Sequence, residues 1–218
     1  MNVEFLPWAT LGDAPNEPGL YAWYYRPRLA PAVVEGLIAA IEGEDGAGTG
    51  AASARIRAFL EAQVFTRLKA PPYTASLSGP LRPSYEGQLE MKSAVSDSLV
   101  ERLAAEPRRL RGIAAALADM APHFATPLYI GMARRLRDRL AQHKQRILDI
   151  AQAQAEFGGS EPEDRGHAAD ASFAREVARR GIPYTALWVA VGRLPEIADP
   201  VDVENALNRL NHPLFGKN

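Results

Sequence analysis

The stretch Pro127-Leu128-Tyr129-Ile130-Gly131-Met132-Ala133-Arg134-Arg135-Leu136-Arg137-Asp138-Arg139-Leu140-Ala141-Gln142-His143 decides the reading of this chain. A short apolar run ends in Tyr129-Ile130-Gly131 and passes into a segment with helical periodicity. In the helix predicted over 133–151, Leu136, Leu140 and Ile147 define the inner face. Arg139 and His143 lie beside that stripe, one turn apart, where a helix with only a packing role would carry aliphatic residues. Arg134, Arg135, Arg137, Lys144 and Arg146 surround the pair, opposed locally by Asp138. Most of these cations read as a solvated helix face. Taken alone, His143 reads equally well as structural or functional. Gly131 reads as the point where a strand turns sharply into the helix without a Cβ in the way.

Upstream, Pro18-Gly19-Leu20-Tyr21-Ala22-Trp23-Tyr24-Tyr25 is apolar and aromatic, as a buried strand requires. Arg26-Pro27-Arg28 ends it, since proline cannot donate to a sheet ladder. A third strand is predicted within Ile182-Pro183-Tyr184-Thr185-Ala186-Leu187-Trp188-Val189-Ala190-Val191, which is β-branched and aromatic. Helices are predicted over 32–42, 52–69, 92–106, 108–121, 171–180 and 200–210. Gly43-Glu44-Asp45-Gly46-Ala47-Gly48-Thr49-Gly50 reads as a flexible linker, and 156–170 as a polar surface loop. Pro71, Pro72, Pro80 and Pro83 make 70–90 loop-rich, with a short strand at 73–77 and another around Tyr85. The order is strand, insertion, strand, helices, strand, helix. It predicts an α+β protein in which 1–25 and 127–218 form one part and 26–126 a mainly helical insertion.

A composition of 47% hydrophobic and 23% charged residues is that of a folded soluble protein. The net charge of −1 means that any contact with a polyanion must rest on a local basic patch. The chain has no cysteine, which removes disulfides, thiolate catalysis and every cysteine-containing zinc site. No run approaches the roughly 18 apolar residues that span a bilayer. Met1-Asn2-Val3-Glu4-Phe5-Leu6-Pro7 lacks the basic region and apolar core of a secretory signal. The expectation is a cytoplasmic protein with no membrane partner.

The Tyr21 run and Tyr129-Ile130-Gly131 together resemble the GIY-YIG nuclease superfamily, named for those two tripeptides. Members carry leucine, arginine, leucine and often histidine at seven, ten, eleven and fourteen residues after the second tyrosine. Here those positions are Leu136, Arg139, Leu140 and His143, without a gap. Members also carry a metal-binding glutamate on the helix after the third strand, nine residues before a proline, and Glu204 and Pro213 hold that spacing. Asp199 and Asp202 lie before or at the start of that helix, where an acid is a natural N-cap. The chain departs from the family pattern twice. The asparagine three residues after the proline is Gly216, with Asn211 and Asn218 out of register, and the two name motifs are separated by 26–126.

The resemblance implies a small three-stranded antiparallel sheet flanked by helices, with a Mg²⁺- or Mn²⁺-dependent endonuclease built on it. Tyr21, Tyr129, Arg139, His143 and Glu204 would form the catalytic site, with Glu204 as the metal ligand. Tyr21 or Tyr129 would orient or deprotonate the attacking water, His143 would share that role or position the phosphate, and Arg139 would hold a non-bridging oxygen. The implied partner is nucleic acid, DNA ahead of RNA, contacted through Arg134, Arg135, Arg137, Lys144 and Arg146. Further basic groups stand at Arg102, Arg108, Arg109 and Arg111, and at Arg175, Arg179 and Arg180. Restriction enzymes of the superfamily have similar size and embellished cores, which points to restriction or phage defence, and a homodimer would supply two sites for double-strand cutting. The insertion would recognise sequence, pair two subunits or cap the core. The alternative, supported by Gly216, is a GIY-YIG-derived module that binds nucleic acid or a partner without cutting it. A helical interaction protein with accidental motifs is the third reading. The nuclease reading requires Tyr21, Tyr129, Arg139 and Glu204 to converge.

Overall fold

The computed structural model describes residues 2–43, 49–69, 72–80, 82–90, 95–157, 168–195 and 199–215. Strand β2 (Gly19–Tyr25) is buried at every second position, at Gly19, Tyr21, Trp23 and Tyr25. That period of two marks a strand whose two faces meet different surroundings. β2 pairs antiparallel with β5 (Tyr129–Ala133) on one side and with β6 (Leu187–Arg193) on the other. β1 (Val3–Pro7) adds to the far side of β6, giving the order β1-β6-β2-β5. The fold is α+β, and the three-stranded expectation is corrected to four. β1 escapes a sequence reading because it is a short edge strand ending at Pro7, which has no N–H for a ladder.

Helix α5 (Leu136–Phe157) starts later than predicted, because β5 runs on through Ala133. Its buried Leu136, Leu140 and Ile147 pack into the same apolar interior as Trp23, Leu187, Val189 and Phe173. Phe173 belongs to α6 (Ala168–Arg179). The first amides of α5 are held from the N-terminal part of the chain: Leu136 N donates to Glu17 O at 3.1 Å and Arg137 N to Pro15 O at 3.2 Å. These bonds satisfy donors that a helix start leaves open and fix where the helix begins.

α7 (Pro200–Asn211) is capped by Asp199, whose carboxylate accepts from Val201 N at 2.8 Å, while Asp202 sits in the first turn. The helix stops at His212, in the left-handed region at φ 45°. Beyond it, Leu214 N donates to Pro127 O and Phe215 N to Leu128 O, tying the segment after α7 to the approach of β5. The strand predicted from 182 begins later, since Tyr184–Ala186 form a 3₁₀ turn.

The chain divides into two compact units, 1–28 with 114–218, and 29–113. The second holds α1 (Pro31–Glu42), α2 (Thr49–Leu60), the hairpin of β3 (Tyr73–Gly79) and β4 (Arg82–Leu89), α3 (Asp97–Ala105) and the first turn of α4 (Arg109–Phe124). Thr49 and Gly50, read as linker, are helical, and the helix predicted to run to 69 gives way to a π turn at Glu61–Phe65. Parts of the predicted linker, of the 92–106 helix and of the 156–170 loop lie outside the described residues, as does Gly216. Among the described residues no helix is long and apolar enough to cross a membrane.

Leu187 on β6 is fully buried, whereas Val3 on the edge strand is 57% exposed. Leu187→Ala should lower stability by about 2–5 kcal/mol through lost burial and a cavity. Val3→Ala should stay within about 0.5 kcal/mol of wild type. Urea unfolding of both variants checks this difference.

Candidate active site

Tyr21 stands on β2 directly across from Gly131 on β5. A Cβ at Gly131 would come within 2.5 Å of the Tyr21 hydroxyl oxygen and 2.8 Å of the Tyr129 ring. Gly131 is therefore required not by a turn, as the sequence suggests, but because the Tyr21 side chain lies across it inside a regular strand pair. Its place is set by packing above the sheet.

The Tyr21 hydroxyl lies 2.8 Å from Nε2 of His143, and both residues are buried. Arg139, one turn earlier on α5, donates from Nε to the same hydroxyl at 3.4 Å. Arg139 Nη1 also donates to Gln142 Oε1. Aromatic rings enclose the imidazole: Tyr21, Phe173, Trp23 and Tyr129 lie with centroids 5.4, 5.6, 5.9 and 6.0 Å away. Phe173 meets it at 90°, the edge-to-face arrangement that aromatic quadrupoles favour. Phe173 also touches Tyr129 and Phe215.

Glu204 is half-buried on α7, which packs against β5. Burial pushes its carboxyl above the ordinary carboxylate range, while the positive charge of Arg139 pulls in the opposite direction. That opposition puts Glu204 within electrostatic reach of Arg139. Tyr21 thus touches each of Tyr129, Arg139 and His143, and Glu204 feels the charge of Arg139. Among the described residues no group of three or more His, Asp or Glu side chains gathers for a metal ion. A lone hard oxygen donor such as Glu204 fits Mg²⁺ or Mn²⁺ with most of its waters retained, since such ions are commonly held by one or two carboxylates and a substrate phosphate.

The five cations read as a nucleic-acid face differ in exposure and in local contacts. Arg134 and Arg135 are exposed, and Arg135 pairs with Asp138 at 2.8 Å. Arg137 donates from Nε to Ala14 O at 2.9 Å, helping to hold the start of α5. Lys144 lies over the Trp8 ring at 5.5 Å, and Arg146 is half-buried. Of the other basic groups, Arg108, Arg109, Arg111, Arg179 and Arg180 are paired locally. Arg108 meets Glu42, Arg109 meets Glu106 and Arg111 meets Glu35, whose carboxyl is held below its usual range by the Arg111 hydrogen bond. Arg179 and Arg180 share Glu176, whose carboxyl they hold low despite its burial.

Sequence reasoning missed Phe173 and Phe215, because each is a single apolar residue in a segment without a motif. It also misassigned the role of Gly131. No protein-family model, curated protein or solved structure matches the chain.

Gly131→Ala should cost about 1–3 kcal/mol by overpacking. The loss should be smaller in a Tyr21→Ala background, where only the contact with the Tyr129 ring remains, giving a non-additive cycle by urea unfolding. Because the folded pKa of Glu204 is raised, its contribution favours folding below its unfolded pKa and is lost as pH rises through the folded value. Glu204→Gln should remove that part of the pH dependence, readable by urea unfolding across pH, and Arg139→Gln should raise the Glu204 pKa further, readable by carboxyl NMR titration.

Proposed function

We propose that this protein is a divalent-metal-dependent endonuclease of the GIY-YIG type that cuts DNA ahead of RNA. The observation that carries the reading is the hydrogen-bonded cluster of Tyr21, Arg139 and His143, with Glu204 near enough to feel the charge of Arg139. Three elements distant in sequence contribute to it, and a purely structural core would fill the same space with apolar side chains.

In this reading Arg139 Nε–H approaches the Tyr21 oxygen and the Tyr21 O–H donates to His143 Nε2, so His143 carries its own proton on Nδ1. The 2.8 Å separation lies within the range for proton transfer between catalytic groups. His143 Nε2 takes the phenolic proton, and the phenolate, stabilised by the guanidinium, takes a proton from the attacking water. The imidazolium returns its proton to solvent at the end of the turnover. The water oxygen forms its bond to phosphorus, the bond to the leaving sugar oxygen breaks, and that oxygen takes a proton from solvent. Arg139 offers its guanidinium fork to a non-bridging oxygen as negative charge grows there. Glu204 would hold Mg²⁺ or Mn²⁺, which when bound supplies Lewis-acid neutralisation of the phosphate. Tyr129 walls the cluster on the β5 side and keeps the Tyr21 ring in place. Exposed Arg134 and Arg135 on the approach to α5 and within its reach are the first candidates for contacting the nucleic-acid backbone.

Supercoiled plasmid incubated with Mg²⁺ or Mn²⁺ should yield discrete products. Arg139→Ala and Glu204→Ala should each slow cleavage by about 10²–10³-fold, the cost of losing one group that stabilises transition-state charge. Salt-sensitive retention of DNA by wild type without cleavage would instead identify a non-cutting binding module.

A further inference from the structure

We propose that the free edge of β3 pairs with the same edge of a second copy of this chain, joining two hairpins into one four-stranded antiparallel sheet. This inference is independent of the nuclease reading. Among the described residues β3 pairs with β4 alone, and all seven of its residues are exposed. The cross-strand pairs Tyr73–Leu89, Ala75–Gly87 and Leu77–Tyr85 share one face, while Thr74–Gln88 and Ser76–Glu86 share the other. The hairpin is thus amphipathic, yet Tyr73, Leu77, Tyr85 and Leu89 are 60–71% exposed. A two-stranded ribbon is marginally stable in water, and a third strand or a packed face is what makes such a sheet persist.

The two edges differ. From Leu77 to Gly79 β3 advances two residues, while from Tyr85 to Arg82 β4 advances three, so the bulge lies on β4. β4 also contains Pro83 and two charged residues, Arg82 and Glu86. Bulges, proline and charge are the devices that discourage edge pairing. β3 (Tyr-Thr-Ala-Ser-Leu-Ser-Gly) contains none of them. It is also self-complementary about a twofold axis at Ser76. Antiparallel pairing would set Tyr73 against Gly79, Thr74 against Ser78, Ala75 against Leu77 and Ser76 against Ser76. Large side chains then meet small ones, hydroxyls meet hydroxyls, and no like charges face each other. A seven-residue edge is about 24 Å long and buries roughly 500 Å² in total, well under the ~1,200 Å² of a stable interface. The pairing is accordingly weak and concentration-dependent.

The natural absence of cysteine makes the test direct, using full-length Ser76→Cys, Thr74→Cys and Tyr85→Cys. Directly opposed strand residues have Cα atoms within disulfide reach, whereas Thr74 and Tyr85 would each stand far from their own copies. Under mild oxidation Ser76→Cys should form a disulfide dimer about tenfold or more faster than the other two, because pairing concentrates the thiols locally. The wild-type mass in sedimentation should rise with concentration, and Ser76→Lys, which opposes two ammonium groups, should abolish the rise. Equal cross-linking at all three positions, or a monomeric mass at every concentration, would overturn the proposal. So would faster cross-linking through Tyr85→Cys, which marks hairpins packed face to face.

Discussion

The hydrogen bond between the Tyr21 hydroxyl and His143 Nε2 is the constraint around which the first unit is organised. Two polar groups have been taken out of water among aromatic rings, and the Tyr21 hydroxyl and His143 Nε2 satisfy each other. Keeping them 2.8 Å apart places demands on remote parts of the chain. β5 must have a glycine where Tyr21 crosses it. α5 must begin at Leu136, where the amide bonds to Pro15 and Glu17 start it, for His143 to arrive two turns later on the inner face. α6 must bring Phe173 over the imidazole. Each is a statement about backbone placement, and together they explain why so much apolar surface surrounds so small a polar cluster.

Charge is used differently inside and outside this cluster. On the surface, arginines are matched with nearby carboxylates, often three or four residues away on the same helix. Exposed pairs of this kind contribute only about 0–1 kcal/mol each, so their effect is to remove free positive patches rather than to hold the fold. Arg139 is used differently: it donates to a buried phenol, and its charge opposes the protonation of a half-buried carboxylate.

Much of this was legible in the sequence wherever a periodic pattern ran long enough. The apolar, aromatic run of β2 and the apolar stripe of α5 depend on local rules, and the structure places these elements close to where the sequence does. The resemblance singles out Tyr21, Arg139, His143 and Glu204, whereas the residues alone leave His143 open between a structural and a functional role. What spacing could not supply was the fourth strand, because β1 is five residues long and gains its identity only from β6. Nor could it supply the reason for Gly131, which lies in a side chain arriving from a distant strand. Nor does a run of arginines in sequence carry a record of the carboxylates that fold against it.

The register of the four-stranded sheet also dictates an order of assembly. β1 pairs with β6, so Val3 finds its partner only at Gly192, and β2 finds β5 only across the whole intervening unit. Loop closure of this length costs entropy before any ladder bond returns it. On the ribosome, the contiguous 29–113 unit is complete while β2 still waits for both of its neighbours. During that interval Tyr21, Trp23 and Tyr25 have no sheet to enter, and the aromatic strand that later closes around His143 is the segment of the nascent chain most in need of shielding.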